Sequence, residues 1–195
     1  MNNVNTNRWI QTFTGKKFDP IDPDPALINI RDIAHALSNQ CRYAGHTREF
    51  YSVAEHSVHV AQELERNNPK SPALWLAGLL HDAAEAYLTD LPRPIKKYVL
   101  SFSTFENRLL EVISKKYGFA YPFSPKVHFV DTSIILDEAN ALFNPEWVAE
   151  WELTKTHKPL GKPIWVLNPI EAEFRFLSEF DRITDYLSEN GDDGV

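Results

Sequence analysis

The sequence predicts an all-α domain with a small β element near its N-terminus. Three observations predict it. Helix-start signals at Asn29, Ser52, Ser71-Pro72, Ser103 and Asn168-Pro169 each precede apolar residues at helical spacing. Pro-punctuated connectors separate those stretches, and strand-like alternation is confined to the first part of the chain.

Residues 8–18 (RWIQTFTGKKF) alternate loosely about Gly15-Lys16, which predicts a short hairpin. DPIDPDP (19–25) is a rigid connector, because proline disfavours the α conformation for the residue before it. Asn29 caps a helix that carries Ile30, Ile33, Ala34 and Leu37 on one face, with Asp32 near its start, and that stops near Gly45. Ser52 and Glu55 have capping-box spacing and open a helix to about Arg66. Ser71-Pro72 starts a helix that runs through WLAGLLHDAAEAYL to about Leu88, where LPRP (91–94) breaks the chain. Ser103 and Glu106 form a second capping box, for a helix that ends at Gly118. Residues 125–143 give another long helix. Asn168, Pro169 and Glu171 open a last one, to about Leu187. The aromatic stretch 144–167 reads as a packed loop with one short helix, and Trp147, Trp151 and Trp165 in it as packing groups rather than base-stacking ones. Five or six helices in one domain (1–188) result, with 189–195 as a disordered acidic tail.

The chain has 195 residues, 43% hydrophobic and 24% charged, enough to bury a core without staples. Cys41 is its single cysteine, which excludes an intrachain disulfide and a cysteine-based zinc or iron–sulfur site. A formal charge of −7 is a poor footprint for gripping duplex nucleic acid. The first residues lack the apolar run of a signal peptide, and no stretch approaches the roughly 20 apolar residues of a membrane span. The expected location is the cytoplasm of a bacterium or of an infected host cell.

His81-Asp82 is unusual for its setting, between Leu79-Leu80 and Ala83-Ala84. Burying either group without a partner is costly. Glu85, four residues after His81 and three after Asp82, shares adjoining strips of one helical face with them. A salt-bridged patch facing water is the bland reading, and the apolar neighbours weaken it. A metal would satisfy the pair if other helices supplied more donors. His56 and His59 lie one turn apart on the preceding helix, and Asp131 and Asp137 on a later one. Two nitrogens with two carboxylate oxygens would suit a first-row transition ion and leave positions open.

The order His56, His81-Asp82, Asp131 resembles the H…HD…D pattern of the HD-domain phosphohydrolase superfamily. HDAAEAYLTDLPRPIKKY is similar to the extended block of bacterial 5′-deoxynucleotidases and phage-type dATP triphosphohydrolases, and the stretch 13–57 (FTGKKFDP…IRDIAHALSNQCRYAGHTREFYSVAEHS) resembles the phage branch in particular. The resemblance implies an HD-domain helical bundle with His56, His81, Asp82 and Asp131 as ligands of a divalent ion such as Co, Mn or Zn. It implies that Glu85 handles the attacking water and Asp90 the leaving 5′-oxygen. It also implies that Arg42 contacts the phosphate and Lys96 lies near further phosphates. His35, His59 and Asp137 match no ligand position and read as helix-surface or supporting groups. Where the deoxynucleotidases carry Trp against the sugar, Tyr43 follows Arg42 here, which leaves deoxyribose selection open.

The implied activity is hydrolysis at the α-phosphate of a deoxynucleotide. The first expectation is a dATP triphosphohydrolase releasing deoxyadenosine and triphosphate, suited to a phage that replaces adenine with 2-aminoadenine. The alternatives are a 5′-deoxynucleotidase acting on monophosphates, an HD phosphodiesterase of cyclic nucleotides or (p)ppGpp, and a non-catalytic nucleotide-binding HD protein. Family members assemble, so a homo-oligomer is the expected state.

Overall fold

The computed structural model describes residues 8–190. They form a helical bundle with a two-stranded antiparallel hairpin at its N-terminal side. Strands β1 (Ile10–Gln11) and β2 (Lys17–Phe18) pair Ile10 with Phe18. Asp32 holds the hairpin turn: its carboxylate accepts from the backbone N–H of Thr14 at 2.6 Å and from the Thr14 hydroxyl at 2.9 Å. The helices are α1 (Ile30–Asn39), α2 (Val53–Asn67), α3 (Pro72–Leu79), α4 (Glu85–Leu88), α5 (Arg93–Lys96), α6 (Phe102–Tyr117), α7 (Pro125–Leu142), α8 (Pro145–Val148) and α9 (Pro169–Asn190). Short 3₁₀ turns add Arg42–Gly45 and Glu152–Lys155.

Helix α2 is the hub, packed on α1, α3, α7 and α9. Eleven of its fifteen residues are buried, so it has almost no solvated face. Glu55, His56, His59 and Glu63 must therefore find partners inside the protein. Helix α3 lies against it at Gly78, where a Cβ would collide with Leu64 Cδ1. One apolar core runs from Phe18 to Ile183. Among the described residues no helix is long and apolar enough to cross a membrane.

Several expected boundaries move. Helix α1 ends at Asn39 rather than near Gly45, because Gln40 turns extended and Cys41 bridges Ser52. The expected helix 72–88 is split: residues 80–84 form tight turns. The cause is His81, whose Nδ1 bonds the Gly78 carbonyl at 2.7 Å. In a continuous helix that carbonyl would accept from Asp82 N–H. The Ser103 box is not the start of α6, which begins at Phe102 after a left-handed Ser101, and its acid, Glu106, is taken by Lys96 at 2.6 Å. At Ser52 half the box forms: the hydroxyl accepts from Glu55 N–H at 3.1 Å, while the Glu55 carboxylate goes elsewhere. The Asn168–Glu171 box closes in both directions. Helix α9 continues through Asn190, held there by side chain to backbone bonds from Ser188 and Asn190, so the expected tail is helical at 189–190. The remainder of the tail, 191–195, lies outside the described residues.

Candidate metal centre

Three elements bring four predicted ligands together. His56 comes from the middle of the buried hub α2, His81 and Asp82 from the tight turn after α3, and Asp131 from α7. The Nε2 atoms of His56 and His81 stand 3.2 Å apart. Asp131 Oδ1 is 3.2 Å from the first and 3.7 Å from the second. Asp82 Oδ2 is 3.7 Å and 3.3 Å from the same two atoms. Donor atoms of His56, His81 and Asp82 all lie within 4.8 Å of one another, so this group could hold a metal ion.

The donor chemistry fits a cation. His56 Nδ1 faces Glu138 Oε1 at 2.6 Å and His81 Nδ1 faces the Gly78 carbonyl, so both Nδ1 atoms donate. Each Nε2 then faces the cluster, close to the other and to two carboxylates, a set that a cation among them would satisfy. Burial disfavours charge on His81, yet Asp82 and Asp131 raise its pKa well above the ordinary imidazole value. Burial likewise opposes ionisation of Asp131, and the two imidazoles outweigh it and hold that carboxyl below the usual range.

The predicted substrate residues share a cavity of about 670 Å³ that opens beside this cluster: Arg42, Tyr43, Glu85, Asp90 and Lys96 line it with Asp82 and Asp131. Arg42 Nη1 reaches Asp82 Oδ2 at 3.4 Å, and its Nε lies 3.5 Å from Glu138 Oε2. Burial works against the Arg42 charge, but Glu138 and its neighbours raise the pKa well above the usual guanidinium value. Glu85 is buried with one carboxylate oxygen unpartnered, and burial, reinforced by Asp82 and Asp90, raises its pKa strongly. Asp90 follows Thr89, whose φ of 108° is a strained backbone for a β-branched residue. Gln40 fixes that strand of chain, donating to Glu85 O at 3.0 Å and accepting from Asp90 N–H at 2.9 Å. Lys96 is bound to Glu106, and Arg93 reaches Asp131 Oδ2 at 2.7 Å.

One group at the site lies outside the sequence reading, and one is placed differently from it. Glu138 is fully buried beneath His56 and accepts from Tyr51 Oη at 3.0 Å and from the Tyr43 hydroxyl. Its signal was its spacing: seven residues after Asp131, it lies two turns on along the same face of α7. Of the three tryptophans read as packing groups, Trp165 does pack, on His59, whereas Trp147 is exposed on the short helix α8 and Trp151 borders the cavity. The surface reading fails for His59 and Asp137, which are buried. Asp137 accepts the backbone N–H groups of Leu160, Gly161 and Lys162 at 2.6–2.9 Å. Glu55 does the same for Trp165, Val166 and Leu167 at 2.8–3.0 Å. His35 is partly exposed and pairs with Glu173 at 2.9 Å.

No family profile matches the chain. It is 40% identical over 136 residues to the uncharacterized protein YfdR of Escherichia coli K12, covering 69% of this chain and 72% of that one. It is 32% identical over 167 residues to an uncharacterized protein of Rhodobacter capsulatus, covering 82% of each chain.

Proposed function

The chain belongs to the family of these two bacterial proteins, whose names state no activity, and we propose from its site that it is a metal-dependent deoxynucleotide phosphohydrolase of the HD-domain type. One observation carries the reading. Two imidazoles and two carboxylates converge beside a cavity that also presents an unpartnered buried carboxylate oxygen and a buried, charged arginine. The similarity of residues 81–98 to the deoxynucleotidase block supports it independently.

His56, His81, Asp82 and Asp131 would hold the ion, which when bound supplies Lewis-acid activation of water and of a phosphate oxygen. Arg42, pinned between Asp82 and Glu138, presents its remaining guanidinium edge to the α-phosphate. Glu85 orients the attacking water and takes its proton, a role that its raised pKa favours. The bond from phosphorus to the 5′-oxygen breaks as the new bond to water oxygen forms. Burial raises the Asp90 pKa despite the opposing pull of Arg42, which suits it to give the leaving oxygen a proton. The same bond breaks whether the substrate is dATP or dAMP. The triphosphate reading needs Lys96 free for the outer phosphates. The Lys96–Glu106 pair therefore favours a second reading, a monophosphate-specific 5′-deoxynucleotidase.

The test is incubation of the full chain with each dNTP and dNMP plus Mn²⁺ or Co²⁺, with products resolved by chromatography. Deoxyadenosine plus triphosphate from dATP supports the first reading, and turnover of monophosphates alone the second. Glu85→Ala should abolish turnover and leave the metal bound. Absence of both turnover and bound metal overturns the proposal.

A further inference from the structure

We propose that Trp151 is the platform on which the planar base of the nucleotide stacks. The inference rests on the function proposed above and adds the residue that holds the far end of the substrate. Helix α7 gives the cavity two of its lining residues. Asp131 lies at the metal cluster, Ile135 borders the cavity one turn further on, and Phe143 follows the C-terminal end of the helix. Trp151 packs edge-on against Phe143 with centroids 5.6 Å apart, and Phe143 packs edge-on against Tyr43 at 5.0 Å. Ile135, Trp151 and Leu153 thus give apolar surface to the same cavity that Arg42, Asp82 and Asp131 line, with Glu152 between Trp151 and Leu153.

A cavity that combines a buried arginine with an indole suits a ligand that carries both a phosphate and a flat, weakly polar ring. An indole that is half-buried and braced by a neighbouring ring has lost much of its freedom already, so stacking orders it at little further cost. Tyr43 is less suited to the task, because the Arg42 guanidinium lies over its ring, 5.4 Å from the centroid. The segment that carries Trp151 is held in place as well: α7 precedes it, and the Asp137 carboxylate binds the chain beyond it at Leu160–Lys162.

The experiment compares dAMP with 2-deoxyribose 5-phosphate, which keeps the phosphate and sugar but lacks the base. Both are assayed as substrates of the Mn²⁺-loaded full chain and as ligands by equilibrium dialysis. Wild-type protein should favour dAMP, and Trp151→Ala should reduce that preference about tenfold or more, through KM rather than kcat. Trp151→Phe, which keeps an aromatic face, should restore most of it. An equal loss for both compounds would assign Trp151 a structural role and overturn the proposal, as would an unchanged preference. If neither compound is hydrolysed, the monophosphatase reading fails on its own, and the dialysis comparison still decides whether Trp151 discriminates for the base.

Discussion

Replacing Glu138 with glutamine should weaken metal binding by 10- to 100-fold without touching a ligand. Glu138 Oε1 accepts from His56 Nδ1 at 2.6 Å and from Tyr51 Oη at 3.0 Å, while Oε2 serves Tyr43 and the Arg42 guanidinium. A carboxamide of the same shape has one acceptor edge and one donor edge. Turned one way, its NH₂ group faces the His56 N–H. Turned the other way, it faces Arg42, which then stays buried with Asp82, at 3.4 Å, as its remaining carboxylate partner. Loss of a carboxylate behind a metal-bound histidine typically costs 10- to 100-fold in affinity, or about 1.4–2.8 kcal/mol. Stripping a buried cation of its partner costs about 3–5 kcal/mol of fold stability. For a chain of this size, a loss of ~3 kcal/mol lowers Tm by about 6–12 °C. The affinity would be read by competition of Zn²⁺ against a chromophoric chelator, and the stability by thermal melting in EDTA. Tyr43→Phe, which removes one hydroxyl donor and no charge, is the milder companion. Affinity of Glu138→Gln within twofold of wild type would refute the claim that Glu138 positions the ligand His56.

Other outcomes follow from the same contacts. Gly78→Ala should cost about 1–3 kcal/mol by thermal melting, because a Cβ would overlap Leu64 Cδ1 and force that fully buried side chain to repack. Glu55→Gln should cost about 2–4 kcal/mol and speed limited proteolysis within residues 157–168, since a neutral amide cannot serve three converging N–H donors equally well. Glu63 is held below the ordinary glutamate range, because its bonds to Arg66, Lys162 and Asn67 outweigh the opposing effect of burial. Its stabilising contribution is therefore present above the unfolded-state pKa and lost as pH falls through the lowered folded-state value. Glu63→Gln should thus be less stable near neutrality and flatten the acid limb of the melting temperature against pH. A variant with the wild-type acid slope would contradict that.

Most of the framework was legible in the primary structure, because caps and periodicity report local physics. Asn29, Ser52 and Asn168 each accept from the backbone N–H groups that they should cap. The convergence of His56, His81-Asp82 and Asp131 was legible only through a family pattern, since spacing alone ties together no more than one helix face. What escaped depended on competition between donors for the same acceptor. The Gly78 carbonyl could take the Asp82 N–H or the His81 imidazole, and the imidazole won, which broke the expected helix. Glu55 could close a capping box or collect three distant amides, and did the latter. Glu106 could cap α6 or bind Lys96. Trp151 lies in an irregular stretch, where no period reveals which way a ring faces.

The two carboxylates that hold residues 160–167 also constrain the order in which the molecule can assemble. Glu55 sits on α2 and Asp137 on α7, so the segment makes both sets of amide bonds at once only when those two helices have met. The helices also carry His56 and Asp131, which places docking of this segment after the two sides of the metal cluster have come together. Closing a loop costs entropy before its contacts repay it, and here that return waits on a tertiary pairing already made. Mutations that loosen the segment should therefore accelerate unfolding far more than they slow folding.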